Sequence, residues 1–219
     1  MRASVLISLA FSARMGVRGL STLNTLCGLS RYRHEAKNSK FDAVVGSVTS
    51  SKAAMAFIKE NSNSKVNHNC WAYRLRDGYC RYSDDGEPGG TAGKLILDAL
   101  EKGKVHDTVC VVTRFYGGVK LGTGGLQRAY RAAAAGAVED ATLREIHLMS
   151  HVAVRVLPAQ LGLFYKGVGM MDQALVEKLQ EDTSPEGEQL ITLRLSAKNL
   201  LVLERECADL QVQLLQQQG

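Results

Sequence analysis

The sequence predicts an α+β protein of two units, and three observations carry that prediction. Asp77-Gly78 joins two aromatic, partly alternating runs and marks a β-hairpin. Two glycine-rich stretches, 84–93 and 114–125, each follow a run of strand length and precede a stretch with helical character. After Thr142 the apolar pattern restarts in the order strand, helix, strand, strand, helix, strand.

The folded part is predicted to begin near Ser39. Phe41, Val44, Val45 and Val48 form a strand, and Ser51 is the expected cap of a helix through Ala53, Met55, Ala56 and Ile58 to Glu60. Residues 61–65 are a polar loop, 67–75 an aromatic strand and Tyr79–Ser83 its returning partner. Leu95, Ile96, Ala99 and Leu100 recur at helical spacing before Gly103, a natural helix stop. Val105–Thr113 is a buried strand, and the alanine-rich stretch from Leu126 to Asp140 is a helix whose small side chains allow close packing on a sheet. In the second unit strands are expected over 147–157 and 188–195, and helices over 159–171 and 197–210. Residues 174–181 are either a short strand or a continuation of the first helix, and 212–215 form an edge strand. Taken as βαββαβ, this unit over 147–216 is predicted to be ferredoxin-like.

Charge narrows the function. The chain carries 27 basic and 22 acidic residues, for a net charge of +5. Five of the basic residues, Arg2, Arg14, Arg18, Arg31 and Arg33, precede the first acid at Glu35, which leaves 22 bases against 22 acids in the remainder. Bulk positive charge on the folded body is therefore excluded as a driver of nucleic-acid binding. Residues 1–34, rich in arginine, serine and leucine and free of acids, have the composition of a transit peptide, so a mitochondrial location is expected, with a cytoplasmic one as the alternative. The rival readings of that stretch are a secretory signal, from the apolar run Val5 to Phe11, and a disordered leader. Five cysteines without a CxxC pair predict neither a disulfide framework nor a zinc site, but reduced thiols in an intracellular compartment. No apolar run approaches the roughly 20 residues of a membrane-spanning helix.

The two glycine-rich stretches dominate the chemistry. Glycine lets backbone N–H groups converge, and a following helix N-terminus favours anions. Arg114 and Lys120 add cations suited to phosphate or carboxylate. Neither stretch is a Walker A or dinucleotide fingerprint, and tight turns or close helix–strand approach explain the glycines equally well. Asp84, Asp85 and Glu87 form an acidic cluster that can run acid/base chemistry or hold a cation; the favoured reading is that they cap the following helix or bridge to Arg114. His68 and Cys70 share one face of a strand but lack the further ligands or orienting carboxylate of a metal or nucleophile site. Cys70 and Trp71 are expected in the core.

Three motifs carry a resemblance. The run Asp84-Asp85-Gly86-Glu87-Pro88-Gly89-Gly90-Thr91-Ala92-Gly93 resembles one signature of the Impact/YigZ family. Val112 to Leu126, with Arg128-Ala129-Tyr130 after it, resembles a second signature, and His68-Asn69-Cys70-Trp71-Ala72-Tyr73 is similar to the family's HNCWAY strand. The resemblance spans about Ser39 to Asp140. It departs at Leu95, where proline is common, and at Phe115-Tyr116, where the aromatic order is inverted.

The resemblance implies a domain over 39–142 of the ribosomal-protein-S5 second-domain type, related in shape to domain four of elongation factor G, with a small bacterial-type tail domain. The eukaryotic members that restrain the stress kinase of translation initiation carry an additional N-terminal RWD domain. The stretch before Ser39 is too short for one, so a YigZ-like architecture is expected. The expected function is non-enzymatic binding near translation, contacting a ribosome-associated protein or RNA through the two loops, with no cofactor, no metal, no membrane and no DNA. The expected binding residues are His68, Asp84, Asp85, Glu87, Thr91, Arg114, Tyr116, Gly117, Gly118, Lys120, Gly124, Gly125 and Arg128. The alternatives are a hydrolase of a phosphate-containing substrate, with Asp85 or Glu87 as base and His68 as partner, and a purely structural domain whose glycine-rich face meets the tail.

Overall fold

A computed structural model describes residues 22–210 and 213–216. Two compact units divide the chain, one holding Leu23–Ile146 and the other the residues from His147 onward.

The first unit is built on a five-stranded antiparallel sheet. Its strands are β2 (Ser30–Ala36), β3 (Ser39–Ser47), β4 (His68–Arg74), β5 (Cys80–Ser83) and β6 (Thr108–Phe115), in the spatial order β2-β3-β6-β4-β5. The run Val109-Cys110-Val111-Val112 occupies the central strand, and this position explains why it is apolar on both faces. Cys110 and Val112 face helices α2 (Gly93–Lys102) and α3 (Gly122–Glu139) in the main core, together with Phe41, Ala43, Val45, Ala72 and Tyr130. Val109 and Val111 face α1 (Ser51–Asn61) with Tyr73, Ile58 and a half-buried Trp71. The alanines of α3 let that helix lie close on the sheet. At Gly136 even a Cβ would overlap the Tyr32 ring on β2.

The sheet begins earlier than the sequence predicts. Strand β1 (Thr22–Leu26) hydrogen-bonds with β7 (Leu143–His147), and β2 pairs with β3 through the two-residue turn Lys37-Asn38. Residues 22–26 and 30–34 are therefore part of the fold and not of a leader; residues 1–21, where the rest of the expected leader falls, lie outside the described residues. Both turn residues have positive φ (44° and 67°), the signature of a type I′ hairpin. Lys-Asn carries that turn without the usual glycine, and β2 is a polar edge strand, so neither signal stood out in the sequence. Likewise β7 extends the first unit past Thr142.

Two further boundaries and one burial are corrected. Ser50, not Ser51, caps α1, its hydroxyl accepting from Ala53 N at 3.2 Å. Helix α3 starts at Gly122, four residues before Leu126, so the second glycine-rich stretch is half loop and half first helical turn. Trp71 is only partly buried, packing against the smaller α1-side cluster.

The second unit comprises β8 (Met149–Val156), α4 (Leu161–Gly169), β9 (Val176–Thr183), β10 (Gln189–Ser196), α5 (Ala197–Leu210) and β11 (Gln213–Gln216). Its antiparallel sheet has the order β11-β8-β10-β9. Residues 174–181, whose pattern suits either strand or helix, contribute mostly to β9. Val152, Val154, Ile191, Leu193 and Leu195 line one sheet face and pack with Phe164 of α4 and Leu203 and Cys207 of α5. No helix among the described residues is long and apolar enough to cross a membrane.

Candidate functional site

One end of the five-stranded sheet gathers most of the notable chemistry. Antiparallel register sets Phe41 of β3, Arg114 of β6 and His68 of β4 in a row across three adjacent strands. The 84–93 loop leaves β5 beside this row, and the 116–121 loop leaves β6 above it. Together they line an open cleft of about 720 Å³. Its walls include Lys65, Val66, Asn67 and His68 from the entry to β4, Glu87 and Pro88 from the first loop, and residues from Arg114 to Leu126.

Arg114 is the pivot of the cleft. Its guanidinium donates through Nη1 to Glu87 Oε1 at 2.8 Å, and Tyr130 Oη donates to the same oxygen at 2.7 Å. The Phe41 and Tyr116 rings lie 5.7 and 5.4 Å from Arg114 Cζ, within cation–π range. Burial holds the Tyr130 hydroxyl well above the usual phenol range, so it stays a proton donor.

The other carboxylates of the cluster hold the first loop together. Asp84 accepts from Ala92 N and Gly93 N through Oδ1 (2.9 and 2.8 Å) and from Gly90 N through Oδ2 (2.9 Å). It thereby caps α2, which has no side-chain cap of its own at Ala92. Asp85 Oδ2 accepts from Asn69 N at 2.7 Å, with its backbone at φ 40°. Thr91 is buried and donates to the Pro88 carbonyl at 2.6 Å. Capping and bridging are thus the roles the structure gives these residues, and no free carboxylate of the cluster lines the cleft.

His68 Nδ1 donates to the Asp85 carbonyl at 2.9 Å, so its partner is a backbone oxygen and not an orienting carboxylate. Cys70 donates to the Asp84 carbonyl at 2.9 Å, and burial pushes its thiol up to about 12. A thiol so protonated is no nucleophile. Among the described residues no three His, Cys, Asp or Glu side chains converge as a metal site.

The glycines divide by purpose. A Cβ at Gly117 would overlap the Asn38 carbonyl group, and Gly117 N donates to Ser39 Oγ at 3.1 Å, so this residue seats the second loop on the β2–β3 turn. Gly118 needs its freedom for a φ of 84°. Gly124 and Gly125 lie in the first turn of α3, and a Cβ at Gly124 would meet nothing nearer than Arg128 Nη1 at 3.6 Å.

Of the expected binding residues, the cleft brings together His68, Glu87, Arg114, Tyr116 and Lys120. Asp84, Asp85, Thr91, Gly117, Gly118, Gly124, Gly125 and Arg128 support or flank it without lining it. Sequence reasoning missed Lys65. It lies in a polar loop with no motif around it, and only the approach of that loop to the start of α3 gives it a place. Among the described residues Lys65 and Lys120 form no ion pair, while the one acid in the cleft, Glu87, is neutralised by Arg114. The lining therefore carries a local excess of positive charge.

A family model for the Impact N-terminal domain matches residues 37–138. The chain is 39% identical over 126 residues to an Impact family member encoded in the pol 5′ region of Thermus thermophilus, covering 58% of this chain and 69% of that protein. It is 39% identical over 121 residues to the Impact family member YvyE of Bacillus subtilis, covering 51% of this chain and 56% of the relative. To YigZ of Escherichia coli it is 39% identical over 102 residues, covering 44% and 50%. The matched stretches thus span about half of the last two proteins. A crystal structure of a protein described only as hypothetical superposes with a TM-score of 0.63 at 26% identity, covering 91% of this chain and 99% of that one. Motifs, fold and relatives agree: this chain belongs to the Impact family.

Proposed function

We propose that this chain is a non-enzymatic, translation-associated binding protein of YigZ-like architecture, and that the cleft between its two signature loops is the contact face. The carrying observation is electrostatic. A cleft whose single carboxylate is neutralised from within, and whose rims bear Lys65 and Lys120, attracts an anionic partner locally although the chain from residue 22 onward carries a net charge of only +2, with 24 basic and 22 acidic residues. RNA is the partner that best matches this charge. The antiparallel five-stranded unit supports the S5 second-domain reading, and the β11-β8-β10-β9 order supports the ferredoxin-like one. The hydrolase alternative finds its base occupied, since Glu87 serves Arg114 and Tyr130 while Asp85 serves Asn69. The acid-free composition of residues 1–21, with Arg2, Arg14 and Arg18, supports a mitochondrial address, which N-terminal sequencing of the organellar protein would test.

The test of the contact face is a salt titration of binding to ribosomes and to ribosomal RNA. Each lysine that pairs with a phosphate contributes about 1 to the slope of log K against log salt. Lys65→Ala with Lys120→Ala is expected to flatten that slope and weaken binding. An unchanged slope and affinity would sink the reading.

A further inference from the structure

The cleft contains more than loose positive charge. Helix α3 opens on it through Gly122 and Thr123, with no side-chain cap and no acid in its first turn. Over its 18 residues the helix presents free N–H groups and the positive end of its dipole there. A second, independent feature points the same way. The Arg114 side chain is nine-tenths buried and lines the cleft, yet its only hydrogen bond among the described residues is from Nη1 to Glu87, which leaves its Nη2 N–H groups without a partner there. Buried donors in native proteins are ordinarily satisfied, and a guanidinium with one used and several unused N–H groups calls for an acceptor with several oxygens. The approach is open as well: a Cβ at Gly118 or Gly122 would meet nothing within 4 Å.

Beside these groups and the polar Lys65, Asn67, His68 and Glu87, the lining is apolar and aromatic. Tyr116 is 57% exposed, and Val66, Pro88, Phe115 and Leu121 share the cleft with it. A volume of about 720 Å³ exceeds what a lone phosphate fills and falls in the range of small-molecule sites. We infer that the cleft is a nucleotide site: a phosphate lodges among the α3 N-terminus, the free edge of Arg114 and Lys120, and the attached base lies against Tyr116. The inference rests on the reading of the cleft as the contact face and names its ligand. The same chemistry is offered by a free mononucleotide and by one nucleotide of a single-stranded RNA.

The experiment uses the full chain, labelled with ¹⁵N and titrated separately with inorganic phosphate, adenosine 5′-monophosphate and a ten-residue single-stranded RNA. Both nucleotide probes are expected to shift the amides of residues 122–125, and Lys120→Ala to weaken both at least fivefold. Tyr116→Ala should weaken adenosine monophosphate but leave phosphate unchanged, because only the base uses the ring. An RNA affinity at least tenfold above that of the mononucleotide identifies the strand as the source, and equal affinities identify the free nucleotide. Silent amides at 122–125 with all three probes, or binding indifferent to both substitutions, would overturn the inference. Ribosome binding that depends on Lys65 and Lys120 while these amides stay silent overturns the nucleotide site alone. Nucleotide binding without ribosome or RNA binding supports the site and removes the translation reading.

Discussion

Glu87 and Arg114 meet at 2.8 Å with side chains only 2% and 9% exposed, one from each signature motif. This contact ties the tip of the first loop to the end of the central strand, and Tyr130 of α3 completes it from below. A buried ion pair adds little over an apolar substitute, because both charges were taken out of water. Removing one partner is another matter, since the survivor stays buried and uncompensated. The pair therefore fixes where Arg114 points more than it stabilises the fold.

Glu87→Ala is expected to destabilise the protein by about 3–5 kcal/mol, through the stranded guanidinium and the missing acceptor for Tyr130. Glu87→Gln keeps an acceptor and should lose less. Urea unfolding followed by tryptophan fluorescence reports on this unit directly, because the single tryptophan, Trp71, lies in β4.

Asp84 accepts three backbone N–H groups at the start of α2. Asp84→Ala should therefore cost about 1–3 kcal/mol by leaving those donors unmet. Hydrogen exchange is expected to accelerate at Gly90, Ala92 and Gly93 before it does in β6.

Two neighbouring glycines should respond oppositely to alanine. Gly117→Ala drives a methyl group into the Asn38 backbone and is expected to cost about 1–3 kcal/mol. Gly124→Ala meets open space at the start of a helix and should leave stability unchanged or raise it by up to about 1 kcal/mol. Midpoints of chemical unfolding compare the two.

Burial pushes the Cys70 and Cys110 thiols up to about 12, from an ordinary value of 9.0. Their folded values lie above their unfolded ones, so the stability they contribute is complete below about pH 9 and is lost as pH rises toward 12. Each thiol should then remove up to about 1.4 kcal/mol of stability per pH unit across that window. Cys110→Ala is expected to make the alkaline fall shallower. At neutral pH a maleimide should label exposed Cys27 and Cys80 quickly, and Cys70, Cys110 and Cys207 only on unfolding.

Periodicity and turn chemistry determined much of this protein in advance. The apolar run of β6, the Asp77-Gly78 hairpin, the helical spacing of α2 and the second unit's element order are local signals, set by side-chain alternation and backbone preference within a few residues. The motif pair pointed to the family for the same reason, since it is written contiguously. Only the tertiary structure decided the rest. Strand β1 is only five residues long and β2 is mostly exposed, so neither shows an apolar pattern that stands out, and their place depends on partners at Leu143–His147 and Ser39–Ser47. The acidic cluster became scaffolding once Asp84, Asp85 and Glu87 found their donors. Lys65 and Lys120, 55 positions apart in the sequence, came to line one cleft through loops that no local rule joins. Charge acts through space, and only the folded chain determines which charges are near one another.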